Sequence, residues 1–231
     1  MTFLTLDKWG IAGGALLAIV LFVFGLQFGL LFVIAMVLFL LLSALATRTG
    51  MRRKMELKLY EKSRGIKNVV ANGLAPLIMA FVFYIAAWRG MELFELLSVV
   101  GFMGSVAAIT SDKFASEIGV LGPGPRMLLT LKRTKRGTSG GVSLLGLGAS
   151  AAAATIVALL VLPYMGALAS VDSGIEGLAV VISIAIGGFL GNIIDSILGY
   201  YEEKGIGNKF STNFICSMSG AVLAMLIYLA L

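Results

Sequence analysis

Residues 9–46 read WGIAGGALLAIVLFVFGLQFGLLFVIAMVLFLLLSALA, without one charged side chain. A helix crosses a bilayer with about 20 apolar residues, so this run is long enough for two crossings. Gly25-Leu26-Gln27-Phe28-Gly29 lies near its middle. That connection is very short, and the sequence predicts a tight hairpin of helices over 9–26 and 28–46. Further apolar runs follow at 68–88, 91–110, 142–164, 175–199 and 210–231. The chain reads as all-α: a polytopic transmembrane bundle of about seven helices, one domain over residues 1–231. The first helix does not read as a signal peptide, because a basic n-region and a small-residue cleavage site are missing and a second apolar run follows at once.

Composition agrees. The 231 residues are 59% hydrophobic and 13% charged, with mean hydropathy +1.00, whereas soluble domains carry roughly a quarter charged residues. Of 18 Lys and Arg, 16 fall in three polar segments at 47–67, 111–141 and 200–209. With seven spans all three lie on one side, joined by Lys8, and only Arg89 is left on the other. Glu92, Glu95, Asp172 and Glu176 mark the opposite loops. The positive-inside rule then puts the N-terminus in the cytoplasm and the C-terminus outside. It also accounts for most of the net charge of +6, so no nucleic-acid partner is expected. The expected setting is a cell membrane, crossed many times, with the working face toward the cytoplasm.

Segment 47–67 reads as a basic amphipathic cytoplasmic stretch, helical over 50–66, with an interfacial seat on anionic lipid as its plain explanation. Segment 111–141, broken by Gly119, Gly122, Pro123, Gly124 and Pro125, reads as an active-site loop. Segment 200–209 is a short loop.

The chain has no histidine and a single Cys216. Ser-His-Asp chemistry, a histidine base, histidine-ligated metal, an internal disulfide and a zinc cluster are excluded. Catalysis would rest on carboxylates, amides, hydroxyls, Lys, Arg and a hard, oxygen-liganded cation. Asp112 and Glu117 stand at the inner end of the fourth helix. They lie about 140° apart on a regular helix, so a helix break or a metal reached from two sides would be needed to join them. Otherwise they are two solvated acids. Asn192, Asp195 and Ser196 form one polar stripe at i, i+3, i+4, flanked by Gly188 and Gly199. Intramembrane acids are functional candidates by default, and the alternative is a structural hydrogen-bond pair. Asn68 and Asn72 share a face, while Asn208 and Asn213 bracket the start of the last helix, which Ser211 could cap. Lys132-Arg133-Thr134-Lys135-Arg136 precedes Gly137-Thr138-Ser139-Gly140-Gly141, a glycine-rich turn before a helix that could cradle phosphate. Positive-inside flanking is the simpler reading of those cations. The set suits phosphoryl transfer, which is mostly positioning and electrostatics.

Several of these stretches resemble a known family, the integral-membrane phytyl-phosphate kinase of plant plastids and its archaeal and bacterial relatives. They are Lys67–Gly73, Ser111-Asp112-Lys113-Phe114-Ala115-Ser116-Glu117-Ile118-Gly119, Gly137–Ser143, and Asp195-Ser196-Ile197-Leu198-Gly199 followed by Asn208 and Asn213. The family pattern reads Ala-Asp-Thr-Trp-Ala-Ser-Glu in the second stretch and Gly-Thr-Asn-Gly-Gly-Val-Ser in the third. Ser111, Lys113, Phe114 and Ser139 depart from it. The resemblance runs from about residue 67 to the end. It implies phosphorylation of a prenyl monophosphate to the diphosphate, with CTP or another nucleoside triphosphate as donor and Mg²⁺ as cofactor.

On that footing Asp112, Glu117 and Asp195 are the expected metal-holding and catalytic residues. Lys132, Arg133, Thr138, Ser139, Gly140 and Gly141 would bind nucleotide phosphates. Asn68, Asn72, Ser116, Asn192, Ser196, Asn208 and Asn213 would orient phosphate or base. Expected partners are the nucleotide, the prenyl phosphate and the membrane, with a homo-oligomer left open. A cytidylyltransferase acting on a lipid phosphate is the nearest alternative. A small-molecule transporter is the alternative from another class.

Overall fold

A computed structural model describes residues 6–60, 65–171 and 176–231. Lys62 and Arg64 of the basic segment and Asp172 of the opposite loops lie outside the described residues. The helices are α1 Lys8–Gly25, α2 Gly29–Arg48, α3 Met51–Glu56, α4 Ile66–Arg89, α5 Glu92–Gly119, α6 Leu144–Leu159, α7 Met165–Ala169, α8 Gly177–Glu202 and α9 Lys209–Ala230. Two two-residue strands, β1 Arg126–Met127 and β2 Gly141–Val142, pair antiparallel in the long connection.

Asp7 opens α1 by accepting from the Gly10 amide at 2.7 Å, the preferred capping chemistry. The apolar run Lys8–Arg48 then breaks at a single 3-10 turn over Leu26–Phe28, where Leu26 takes φ +48°. Gly29 lies against the Phe22 carbonyl, where a Cβ would collide. The chain folds back: Gly14, Leu17 and Ala18 share one cavity wall with Val33, Met36 and Val37. Among the described residues six stretches are long and apolar enough to cross a membrane. The first of them is this hairpin, so the bundle has seven crossings and is all-α as expected.

The central helix is α5. Every residue from Glu95 to Ser111 is buried, which follows from its small side chains. Gly104 lies against Gly220 and Ala224 of α9, and Ala108 packs between Gly191 of α8 and Gly220. Close backbone approach of this kind is how helices associate where lipid removes the hydrophobic drive. Buried hydroxyls add bonds between helices. Ser111 Oγ donates to the Ser150 carbonyl at 2.7 Å and Ser217 Oγ to the Ser105 carbonyl at 3.2 Å. On the α2 side Phe32 stacks on Phe102 at 3.9 Å and meets Phe83 edge-on.

Three boundaries differ from the sequence reading. The fourth crossing continues as regular helix to Gly119, so the first third of the expected 111–141 loop is helical and the loop proper begins at Val120. Apolar character falls after Thr110 because Asp112, Lys113, Ser116 and Glu117 follow on the same helix, not because the helix ends. In segment 47–67, Thr47 and Arg48 close α2, and α3 covers only Met51–Glu56. Lys54, one of the cations of this stretch, is fully buried. The fifth crossing ends as α6 at Leu159 and continues through a turn into α7.

Candidate functional site

The inner ends of α5, α8 and α9 and the start of α4 converge with the 137–143 turn on two adjoining chambers. The first, about 770 Å³ with its open mouth, is lined by Asp112 and Ser116 from α5 and by Asn192, Asp195 and Ser196 from α8. Glu202, Lys209 and the 137–143 turn complete it. The second, about 940 Å³ on the same measure, is lined by Asn68 and Asn72 from α4, by Lys113 and Glu117, and by Asn213 from α9. Asp112, Ser116, Val120, Gly137 and Lys209 line both. The chambers therefore share one wall.

Asp195 faces Asp112 across the α5–α8 contact within hydrogen-bond reach. Two carboxylates so close repel unless a proton or a cation lies between them. Asp195 is 9% exposed and Asn192 1%. Asp195 Oδ1, Asn192 Nδ2 and Asn213 Oδ1 have no hydrogen-bond partner in the protein. They are three of the four such buried side-chain atoms among the described residues, the fourth being Arg136 Nε. Each orphaned group costs about 1–3 kcal/mol. Their concentration around two chambers leaves these atoms to be satisfied by water or a polar ligand there.

Glu117 has a different environment. Its Oε2 accepts from Lys54 Nζ at 2.8 Å and its Oε1 pairs with Lys113 Nζ at 2.8 Å. Thr47 Oγ1 donates to the same Oε1 at 2.9 Å. Lys54 Nζ also donates to the carbonyls of Ala46 and Thr47 at 2.7 and 3.2 Å. It thereby closes the end of α2, as cations do at helix C-termini. The expected joining of Asp112, Glu117 and Asp195 does not occur. Among the described residues no three acidic, histidine or cysteine side chains group as a metal site. Five residues of unbroken helix keep Glu117 about 140° from Asp112, and its oxygens are already engaged.

The 137–141 turn does line the first chamber, but not as a free anion nest. The Thr138 amide donates to Lys135, the Gly141 amide to Thr138, and the Ser139 amide to Glu203 Oε1 at 2.9 Å. Ser139 Oγ also reaches Glu202 Oε1 at 3.4 Å, and Thr212 Oγ1 donates to Glu202 Oε2 at 3.1 Å. The acids at the end of α8 thus pin the turn and the start of α9. Gly140 takes φ +76°, and a Cβ there would meet the Ser196 carbonyl at 2.6 Å. Gly199 faces the same contact from α8. Gly188 and Gly199, which allow close approach of another helix or a ligand, admit Ala107 of α5 and this loop backbone. Ser143 caps α6 and donates to the Gly119 carbonyl at 3.0 Å, fixing the loop's return.

Lys132 and Arg133 are exposed and line neither chamber. The Lys132 carbonyl accepts from the Met127 amide and Arg133 bridges Arg126, which turns that stretch away from the site. Asn208 caps α9, accepting from the Phe210 and Ser211 amides, with Ser211 as its capping-box partner rather than the cap itself. Asn72 Nδ2 donates to the Asn68 carbonyl, and its Oδ1 accepts a long 3.4 Å bond from Asn213 Nδ2. Sequence reasoning missed Lys54, Thr47, Glu202 and Lys209. Only Lys209 carried a local signal: it sits at i, i+4 with Asn213, directly after the Asn208 cap.

The family model "Integral membrane protein DUF92" matches residues 2–226. The chain belongs to this family. Among curated relatives, an uncharacterised membrane protein of Methanocaldococcus jannaschii is 32% identical over 98% of this chain and 87% of its own length. Protein PGR of Arabidopsis thaliana is 32% identical over 66% of this chain and 58% of its own. An uncharacterised membrane protein of Synechocystis is 30% identical over 66% and 56%. No solved structure matches. The DUF92 chain is thus an integral, multi-pass membrane protein.

Proposed function

We propose that this DUF92 protein is a prenyl-phosphate kinase, transferring the terminal phosphoryl group of CTP or a related nucleoside triphosphate to a prenyl monophosphate in the membrane. The observation that carries the reading is the pairing of half-buried Asp112 with buried Asp195, beside the unpartnered Asn192 amide in a chamber that Lys209 also lines. Two carboxylates with an open chamber before them suit Mg²⁺, which is held by one or two carboxylates while nucleotide phosphates and water complete its octahedron. The all-oxygen donor set fits that ion, and no third acid is needed. Mg²⁺, when bound, would offset charge on the transferring phosphoryl group.

The protein's own residues would do the rest. Asp112 and Asp195 would hold the cation, and Lys209, which lines both chambers, would meet phosphate there. Asn192 and Ser196 orient the donor, and Asn72 and Asn213 the acceptor. An acceptor phosphate oxygen attacks the terminal phosphorus of the donor. The bond from that phosphorus to the bridging oxygen breaks, and the nucleoside diphosphate leaves. The acceptor is already an anion, so no general base is required. The cations flanking the apolar runs support a site facing the cytoplasm.

The test is product analysis with purified protein, Mg²⁺, labelled CTP and geranylgeranyl phosphate. The reading predicts CDP and geranylgeranyl diphosphate in equal amounts. Pyrophosphate and a CDP-lipid would make the protein a cytidylyltransferase instead, and uptake into vesicles without either product would make it a carrier.

A further inference from the structure

The second chamber has an apolar neighbour across its polar wall. Asn72 and Phe39 line the chamber and also line a third cavity, about 460 Å³ with its open mouth, between α1, α2 and α4. Apart from Asn72 the lining of that cavity is apolar, with Leu17, Val33, Met36 and Val69 among it. Gly14 lines it too, and nothing stands within 4 Å of where its Cβ would be. The void adjoins the polar chamber, and Asn72 and Phe39 form the wall between them.

At that junction the donors and acceptors are incompletely used. Asn213 Oδ1 is buried without a partner. Pro76 supplies no amide for the Asn72 carbonyl one turn earlier, as a proline inside a helix must. Lys209 and the Asn72 and Asn213 amides on one side of that wall, and an apolar trough on the other, are the surroundings that an anionic head joined to a hydrocarbon chain would need.

We propose that the α1–α2–α4 crevice holds the hydrocarbon chain of a lipid monophosphate whose head sits in the second chamber. The identity of the head rests on the kinase reading; the place of the chain rests on the cavities. Chain burial there would supply most of the acceptor's affinity, because each buried methylene adds to it. Gly14 sets the room available.

The protein in nanodiscs is photolabelled with geranylgeranyl phosphate carrying a diazirine near the chain end, without nucleotide, and the adducts are mapped. The expected adducts fall in residues 14–40 and beside Val69. Unlabelled geranylgeranyl phosphate suppresses them, while geranylgeraniol and phosphatidylcholine do not. Gly14→Leu, which fills the crevice, lowers them about tenfold or more, and Ala18→Leu acts in the same direction. Gly148→Leu on α6, equally open around its Cβ, leaves them unchanged. Adducts elsewhere, adducts indifferent to Gly14→Leu and Ala18→Leu, or suppression by phosphatidylcholine would overturn the proposal. Labelling needs no turnover, so crevice adducts in a protein that forms no diphosphate would sink the kinase reading alone. Diphosphate formation without crevice adducts would sink the crevice alone.

Discussion

Two carboxylates five residues apart on α5 meet opposite fates. Glu117 is surrounded by Lys54, Lys113 and Thr47, and its charge is answered within the protein. Asp112 faces a second acid, Asp195, beside buried polar atoms with no partner. The first arrangement ties α2 to α5 and closes a helix end. The second is costly as it stands and makes sense with a ligand. The same residue class on the same helix therefore gives a strut in one place and a site in the other, and the neighbours decide which.

The largest effect that would sharpen this contrast is on turnover. Asp195→Asn, and separately Asp112→Asn, should lower kcat on the order of a thousandfold, in the range seen when a key electrostatic group is removed, with the melting temperature held or raised. A stable Asp195→Asn protein with near-normal turnover would erase the distinction.

Breaking the strut should show the converse. Lys54→Met takes away one of the two ammonium groups on buried Glu117, leaving Lys113, and should cost about 1–3 kcal/mol of stability, read as thermal unfolding in detergent. Lys54→Met/Glu117→Leu, which removes both charges, should recover most of it. Failure of the double variant to recover would give Glu117 a second role.

A similar effect is expected where the loop meets α8. Gly199→Ala drives a methyl into the Gly140 backbone and should cost about 1–3 kcal/mol, as overpacking does, while raising KM for the nucleotide. The smallest is at the exposed cations. Lys132→Ala/Arg133→Ala should leave nucleotide KM within about twofold, since solvated charges contribute little. A large rise would return the phosphate cradle to that stretch.

Much of the fold was legible because lipid imposes simple rules. Apolar run length gave each crossing, and Gly25 to Gly29 gave the hairpin. The end of α5 was misread because hydropathy falls from Asp112 onward, even though the helix continues to Gly119. In the site, the Asn192–Asp195–Ser196 stripe was readable from spacing on one helix. The pairing of Asp195 with Asp112 was not, since it depends on how α5 and α8 cross at Gly188 and Gly191. Lys54 was invisible as a buried partner, because a lysine in a basic run looks solvated until its tertiary contact is known. The glycine turn was seen but its purpose was mistaken. Amides that looked free for phosphate are held by Lys135, Thr138 and Glu203.

The most direct test of the contrast is metal binding, with Mn²⁺ standing in for Mg²⁺ as another cation that favours octahedral oxygen ligands. Electron paramagnetic resonance would follow Mn²⁺ with CTP on the wild-type protein, on Asp195→Asn and on Lys54→Met/Glu117→Leu. The account predicts that Asp195→Asn loses the bound ion while the double variant keeps it. Retention by Asp195→Asn together with loss in the double variant would contradict it.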